Sequence, residues 1–497
     1  MTIINTAMLL ESGRSLRLPA SIDVCLDASP DTTPARVELL QLFRIVPKRR
    51  IVALARWGDT LVVVKLFFSR TRWTQHLERE VLGIKALQSA GIPTAPLLGS
   101  GELKDGRCGC VVLQYLDSAL SLNECWEKAA PQERAILLRH VVAFIANCHD
   151  RGLLQRDIHL SNFLLRGDEI FLLDAAQLEQ AAVAAEGVDS VSALRNLALF
   201  LAQFPVSNDE LVPMLYASYA QRRPAADLSD DIAVFSALLR RKRMLRLHII
   251  LKKLYRDTNA NICRRDWQHY SVSKRALDSE QLQDFLRQPD TYLEQGVMLK
   301  DGSTTTVVRV MLDGKAYVVK RYNLTSVWYR IRRLFRPSRA WVCWRNAHIL
   351  EMLGVLTPRP VLMLERRFGP LRREAYYVSE YVEGEEALRF LKSTPANSPA
   401  WQHTLTHFQA LFAMMRDYGI VHGDMKATNF LVTERGLSVL DLDGMYQESD
   451  SRRFAKARQK DLQRFAKNWK DDPERAQQVA KMLIRLQEES DYFTKGT

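Results

Sequence analysis

Two stretches of this chain repeat one spacing of polar residues, and that repeat restricts the fold more than any other feature. Residues 420–445 read IVHGDMKATNFLVTERGLSVLDLDGM, with Asn429 five positions after Asp424 and Asp441 seventeen after it. Residues 153–177 read LLQRDIHLSNFLLRGDEIFLLDAAQ, and there Asn162 and Asp174 follow Asp157 at the same two intervals. Both copies run on as Asn-Phe-Leu after the loop. Each reads as an apolar strand, a polar loop and a second strand that ends in an aspartate. Chance can produce one such stretch; two, 267 residues apart, indicate a duplicated domain.

The residue types suit phosphoryl transfer from ATP. One carboxylate takes the proton of the acceptor hydroxyl, while an amide and a second carboxylate hold metal ions on the phosphates. Asp157 and Asp424 are the candidates for the first role. Asn162 with Asp174, and Asn429 with Asp441, are the candidates for the second. Upstream of each loop a lysine sits inside an apolar strand, Lys65 in LVVVKLFF and Lys320 in AYVVKRY, each a candidate for the nucleotide phosphates.

Between lysine and loop, periodicity predicts a helix over 73–89, on which Glu80 can pair with Lys65 while Glu78 lies on another face. Aligning Gly354 with Gly91 puts Cys343 where Glu80 stands, so the second lysine is expected to lack that partner. The strands holding Gln114 (VVLQYLDS) and Glu380 (YYVSEYVEGEE) are the candidate adenine contacts. The repeat extends beyond the loops, because Asn196, Leu197 and Phe200 match Asp461, Leu462 and Phe465.

The 497 residues divide on this reading into a first domain at 1–260, a connecting segment at 261–290 and a second domain at 291–497, with an irregular lead-in to about 35. A formal charge of +13 points to an anionic partner without choosing one. Seven scattered cysteines include no zinc-finger spacing and read as free thiols in a reducing cytoplasm. No signal peptide is expected, and no apolar run approaches the length of a spanning helix.

Two basic stretches stay open. Residues 238–256 read either as a solvated helix closing the first domain or as a dock for an anionic membrane or a phosphorylated acceptor. Residues 326–348 read either as an interfacial helix or sugar-phosphate surface, or as a helix whose aromatics enter the core.

The chain resembles the lipopolysaccharide kinase family of the Kdo/WaaP type. The resemblance rests on VHGDMKATNF (421–430), VLDLDGM (439–445), WRNAHIL (344–350) and GVLTPRP (354–360), with the looser QRDIHLSNF (155–163) and GIPTAP (91–96) in the first copy. It implies an α+β fold with two tandem protein-kinase-like domains, each a small β-rich N-lobe and a mainly helical C-lobe. It also implies ATP and Mg²⁺ as cofactors and a sugar hydroxyl of the lipopolysaccharide core, heptose foremost, as acceptor. The location it implies is cytoplasmic, with peripheral contact at the inner membrane and no nucleic-acid partner.

The chain departs from kinases at large. Neither copy has a glycine-rich G-x-G-x-x-G loop; PKRRIVAL (47–54) and KDGSTTTV (300–307) stand in its place. Neither metal aspartate opens D-F-G, and no A-P-E follows, which argues against a peptide substrate. The alternatives are a kinase of another small molecule or of a protein, and a tandem in which one domain binds or regulates without doing chemistry.

Overall fold

The structure, a computed structural model, describes residues 2–27, 34–181, 187–224, 232–323 and 336–494, with side chains as far as Leu486. It divides into two compact units, Met1–Gln203 with Glu210–Lys242, and Phe204–Asp209 with Arg243–Thr497.

The first unit opens with a short helix, α1 (Thr6–Ser12), and a six-stranded antiparallel barrel. Its strands are β1 (Ala20–Leu26), β2 (Ala35–Val46), β3 (Arg50–Trp57), β4 (Thr60–Phe67), β5 (Leu97–Leu103) and β6 (Gly109–Gln114), closed in the order β1-β2-β3-β4-β6-β5. Alternation builds it: Ile51, Ala53 and Ala55 of β3 meet Val62, Val64 and Leu66 of β4 in one core. Period two turns Lys65 to the opposite face of β4, towards helix α2 (Trp73–Ser89). The expected irregular lead-in is thus partly regular, because β1 has two neighbours to pair with, β2 and β5. Beyond the barrel come helices at Pro131–Asp150, Ser190–Leu201 and Val212–Arg222.

The second unit is built on a seven-stranded antiparallel sheet. Its order is Asn261–Arg265, His269–Lys274, Pro360–Phe368, Leu371–Glu380, Lys315–Tyr322, Thr305–Leu312, Val297–Asp301. Residues 261–290, expected as a connection, instead supply two of these strands and the helix Glu280–Arg287. Sparse alternation hid them, yet Val272 fills one core of this unit while Leu282 and Phe285 fill another.

Helix Ile232–Lys253, expected to close the first domain, passes into the second unit at Arg243. Arg243 is 2% exposed; its guanidinium donates to both Asp209 oxygens and to Tyr418 Oη, and Leu247 joins the second unit's core.

Of the basic aromatic insertion, 324–335 lie outside the described residues. From Arg339 it is a helix whose Trp344 is fully buried, the core alternative for that side chain. Among the described residues no helix is long and apolar enough to cross a membrane.

Candidate active site

In the second unit a two-residue strand pair, Ile420–Val421 with Tyr446–Gln447, and the hairpin Phe430–Thr433/Gly436–Val439 frame the Asp424 loop. The loop is tied down from the helix Ser451–Ala466, whose buried Asp461 accepts from the backbone N–H of His422 (2.8 Å) and Gly423 (3.1 Å). Gly423 has φ +82, and a Cβ there would lie 2.6 Å from the Gly444 carbonyl, so the backbone admits only glycine. His422 is buried and braces the loop, with Nε2 donating to the Leu440 carbonyl at 3.2 Å. Burial lowers its pKa, so the ring is neutral at pH 7.

Asn429 donates Nδ2 to the Asp424 carbonyl at 2.8 Å, which leaves its amide oxygen as an acceptor or cation ligand. Asp441 sits in the left-handed region (φ 54, ψ 59) and accepts from Lys320 Nζ at 3.0 Å. Burial opposes charge on both, but their attraction outweighs it, holding the carboxyl below and the ammonium above its ordinary pKa.

Lys320, Asn429 and Asp441 line one cavity of about 530 Å³ with apolar walls that include Val318, Leu431 and Val439. Glu380 lines the same cavity, as do Ser303 and Thr304 from the strand turn that replaces a glycine-rich loop.

Cys343 does stand beside this lysine in place of a glutamate. Burial pushes its thiol up to about 12, and Sγ lies 3.0 Å from Tyr322 Oη. Asp443 is engaged by Arg339, which donates Nε to it at 2.7 Å and Nη1 to Thr305 Oγ1 at 3.0 Å.

The first unit repeats the frame with different contacts. Lys65 and the fully buried Glu80 form an ion pair, as their spacing predicts, while Glu78 is exposed. Asn162 donates to the Asp157 carbonyl at 2.8 Å, and Asp174 takes the same left-handed conformation (φ 57, ψ 64) as Asp441.

Asp174, however, faces arginines: Arg50 Nη1 at 3.3 Å and Arg44 Nη1 at 3.9 Å. Asp157 pairs with His159 Nε2 at 3.1 Å, and that hydrogen bond outweighs burial in lowering its pKa. Asn196 stands for Asp461, donating to the Gln155 carbonyl at 2.8 Å. Gln114 ends β6 exposed, its N–H on the Pro96 carbonyl.

The helix beside Asp174 is docked differently from the helix beside Asp441. At Gly83 of α2 a Cβ would fall 2.1 Å from the Ala175 carbonyl, so backbone meets backbone. The equivalent residue of the second unit is Asn346, wholly buried, whose Nδ2 donates to the carbonyls of Leu442 (2.8 Å) and Met445 (2.7 Å).

Sequence reasoning missed Arg44, Arg50 and Arg339, which carry no periodic signature. Asn346 had one: a polar residue on the apolar side of a helix, between Trp344 and Ala347, is a buried hydrogen-bonding group in waiting.

No curated protein matches this chain. The lipopolysaccharide kinase (Kdo/WaaP) family matches it over residues 63–185 and 295–485, a segment in each unit that contains the lysine, the loop and the strand-terminal aspartate. With the larger part of its length matched, and with the matched motifs assembled as described, the chain belongs to the lipopolysaccharide kinase (Kdo/WaaP) family.

Proposed function

We propose that this chain is an ATP-dependent kinase of lipopolysaccharide inner-core sugars, with heptose hydroxyls as the first candidates, and that the second unit does the chemistry. The observation that carries this reading is the cavity that gathers Lys320, Asn429 and Asp441 under apolar walls. A base with apolar faces and a polyphosphate tail is the ligand such a lining suits. The near-identical frames around Asp174 and Asp441 support tandem kinase-like domains, each with a β-rich and a helical lobe.

Lys320 neutralises the α- and β-phosphates, while Glu380 at its strand end and Tyr381, Val382 and Gly384 after it border the adenine. The amide oxygen of Asn429 and the carboxylate of Asp441 are hard oxygen donors that fit Mg²⁺, an ion that completes its shell with phosphate oxygens and water. Mg²⁺ held there would neutralise charge building on the phosphates. Asp424 orients the acceptor hydroxyl and takes its proton as that oxygen bonds to the γ-phosphorus and the bond to ADP breaks.

In the first unit Arg50 and Arg44 take up the Asp174 carboxylate, which supports a binding or regulatory role for it. The buried Lys65–Glu80 pair favours a second reading, in which this unit also transfers phosphate. The substrate puts the enzyme in the cytoplasm, peripheral on the inner membrane, with no nucleic-acid partner.

The test is Mg²⁺-dependent transfer from ATP to isolated, dephosphorylated core lipopolysaccharide. Asp424→Ala is expected to abolish it and Asp157→Ala to leave most of it. Loss of a different phosphate with each substitution would establish two working sites. No transfer by the wild type, with ATP binding intact, refutes the lipopolysaccharide acceptor.

A further inference from the structure

The helix Ser451–Ala466 carries Arg452, Arg453, Lys456, Arg458, Lys460 and Arg464 against a single acid, the buried Asp461. Lys456, Lys460 and Arg464 are four residues apart, so they line one side, and all three are exposed.

That side ends at the reacting carboxylate. Arg464 donates Nη1 to Asp424 Oδ1 at 2.6 Å and to the Gly423 carbonyl at 3.1 Å, and Lys426 Nζ lies 3.2 Å from the same Asp424 oxygen. Two cations against one carboxylate leave positive charge in surplus where the acceptor hydroxyl arrives. Neither cation lines the cavity that holds Lys320 and Asp441, so the surplus belongs to the acceptor side.

Among the described residues, Nη2 and Nε of Arg464 have no hydrogen-bond partner. The contact is half exposed, and as an ion pair it stabilises the fold little. A planar guanidinium with free N–H groups is, however, matched to a phosphate or carboxylate. In the first unit His159, standing for Lys426, pairs with Asp157 at 3.1 Å, but Leu199 stands for Arg464, so the guanidinium has no counterpart there.

We propose that Arg464 is an anion-binding residue of the acceptor site. It holds a phosphate or carboxylate group borne by the acceptor saccharide beside the hydroxyl that Asp424 deprotonates, and Lys460 and Lys456 extend the track for further anionic groups. Acceptor choice then depends on charge next to the reacting hydroxyl, and only in the second unit. This rests on the reading of the second unit as a saccharide kinase, and the test separates the two.

The experiment measures binding of the full chain to delipidated core oligosaccharide and to the same oligosaccharide with its phosphates removed and carboxyl groups reduced. Wild type, Arg464→Gln and Arg464→Lys are compared, with the KM for ATP followed in parallel. The expected result is preference of the wild type for the charged form by about tenfold or more, lost in Arg464→Gln and partly kept in Arg464→Lys. The KM for ATP should not move. Equal binding of both forms by the wild type, or full preference in Arg464→Gln, overturns the proposal.

If neither oligosaccharide binds, glucose 6-phosphate against glucose at millimolar concentration decides the anion site alone. Binding that needs both the phosphate and Arg464 supports the anion site while refuting the lipopolysaccharide acceptor. Binding without that dependence, or none at all, overturns it.

Discussion

Replacing Asn346 with leucine removes the amide that ties helix Arg339–Leu353 to the loop after Asp441 while keeping the side-chain volume. The two carbonyls it serves do not suffer equally. Leu442 O keeps a bond from the Met445 N–H at 3.2 Å, so it loses one of two donors, an effect of about 1 kcal/mol. Met445 O is left without the Asn346 donor inside the protein, and an unsatisfied buried acceptor costs roughly 1–3 kcal/mol.

Together the loss is about 2–4 kcal/mol, carried by the second unit alone. At roughly 2–4 °C per kcal/mol for a unit of this size, its melting transition should fall by roughly 5–15 °C. Asp441 is held in a left-handed conformation by the same loop, so phosphate transfer measured well below both transitions should fall as well. Differential scanning calorimetry with a parallel transfer assay reads both quantities. A melting transition unchanged within a degree or two would refute the view that this amide carries the helix–loop contact. A lowered transition with full activity would refute its link to Asp441.

Gly83→Ala should destabilise the first unit, because its methyl would lie 2.1 Å from the Ala175 carbonyl and force α2 off the loop. Calorimetry should show that unit's transition lowered while Asp424-dependent transfer persists. Lys320→Met should raise the KM for ATP and cut transfer by about a hundredfold, as loss of a partly buried phosphate cation would, whereas Lys65→Met should leave most activity; the reverse order would move the chemistry to the first unit.

Burial lowers the pKa of His149 to about 4, below its unfolded value of about 6.5, so folding favours the neutral ring. Its contribution is fully present above the unfolded value and shrinks as pH falls towards 4, a loss of roughly 2 kcal/mol by pH 5. The first unit's melting temperature should therefore drop between pH 7 and pH 5, and His149→Gln should flatten that slope; an unchanged slope refutes the assignment.

The sequence by itself determined the repeated Asp–Asn–Asp spacing, the family, the strand positions of Lys65 and Lys320, and helix α2 to its end residues. These features are local. A spacing of Asp, Asn and Asp survives only where one loop and one hairpin hold it, and the alternation of β3 and β4 or the periodicity of 73–89 reports a single buried face.

Tertiary structure alone decided the rest. Asn261–Arg265 and His269–Lys274 become strands because a sheet assembled from remote segments offers them an edge and cover. The second lysine finds its partner at Asp441, 121 positions on, since Cys343 gives it no charge to face. Arg44 and Arg50 meet Asp174, and Arg464 meets Asp424, across distances that no periodicity spans. Charge attraction acts between groups brought close in space, while a sequence pattern records only which face of its own element a side chain occupies. Apart from the Lys65–Glu80 pair, replaced at Cys343, the contacts that distinguish the two units are for that reason the ones the sequence left unread.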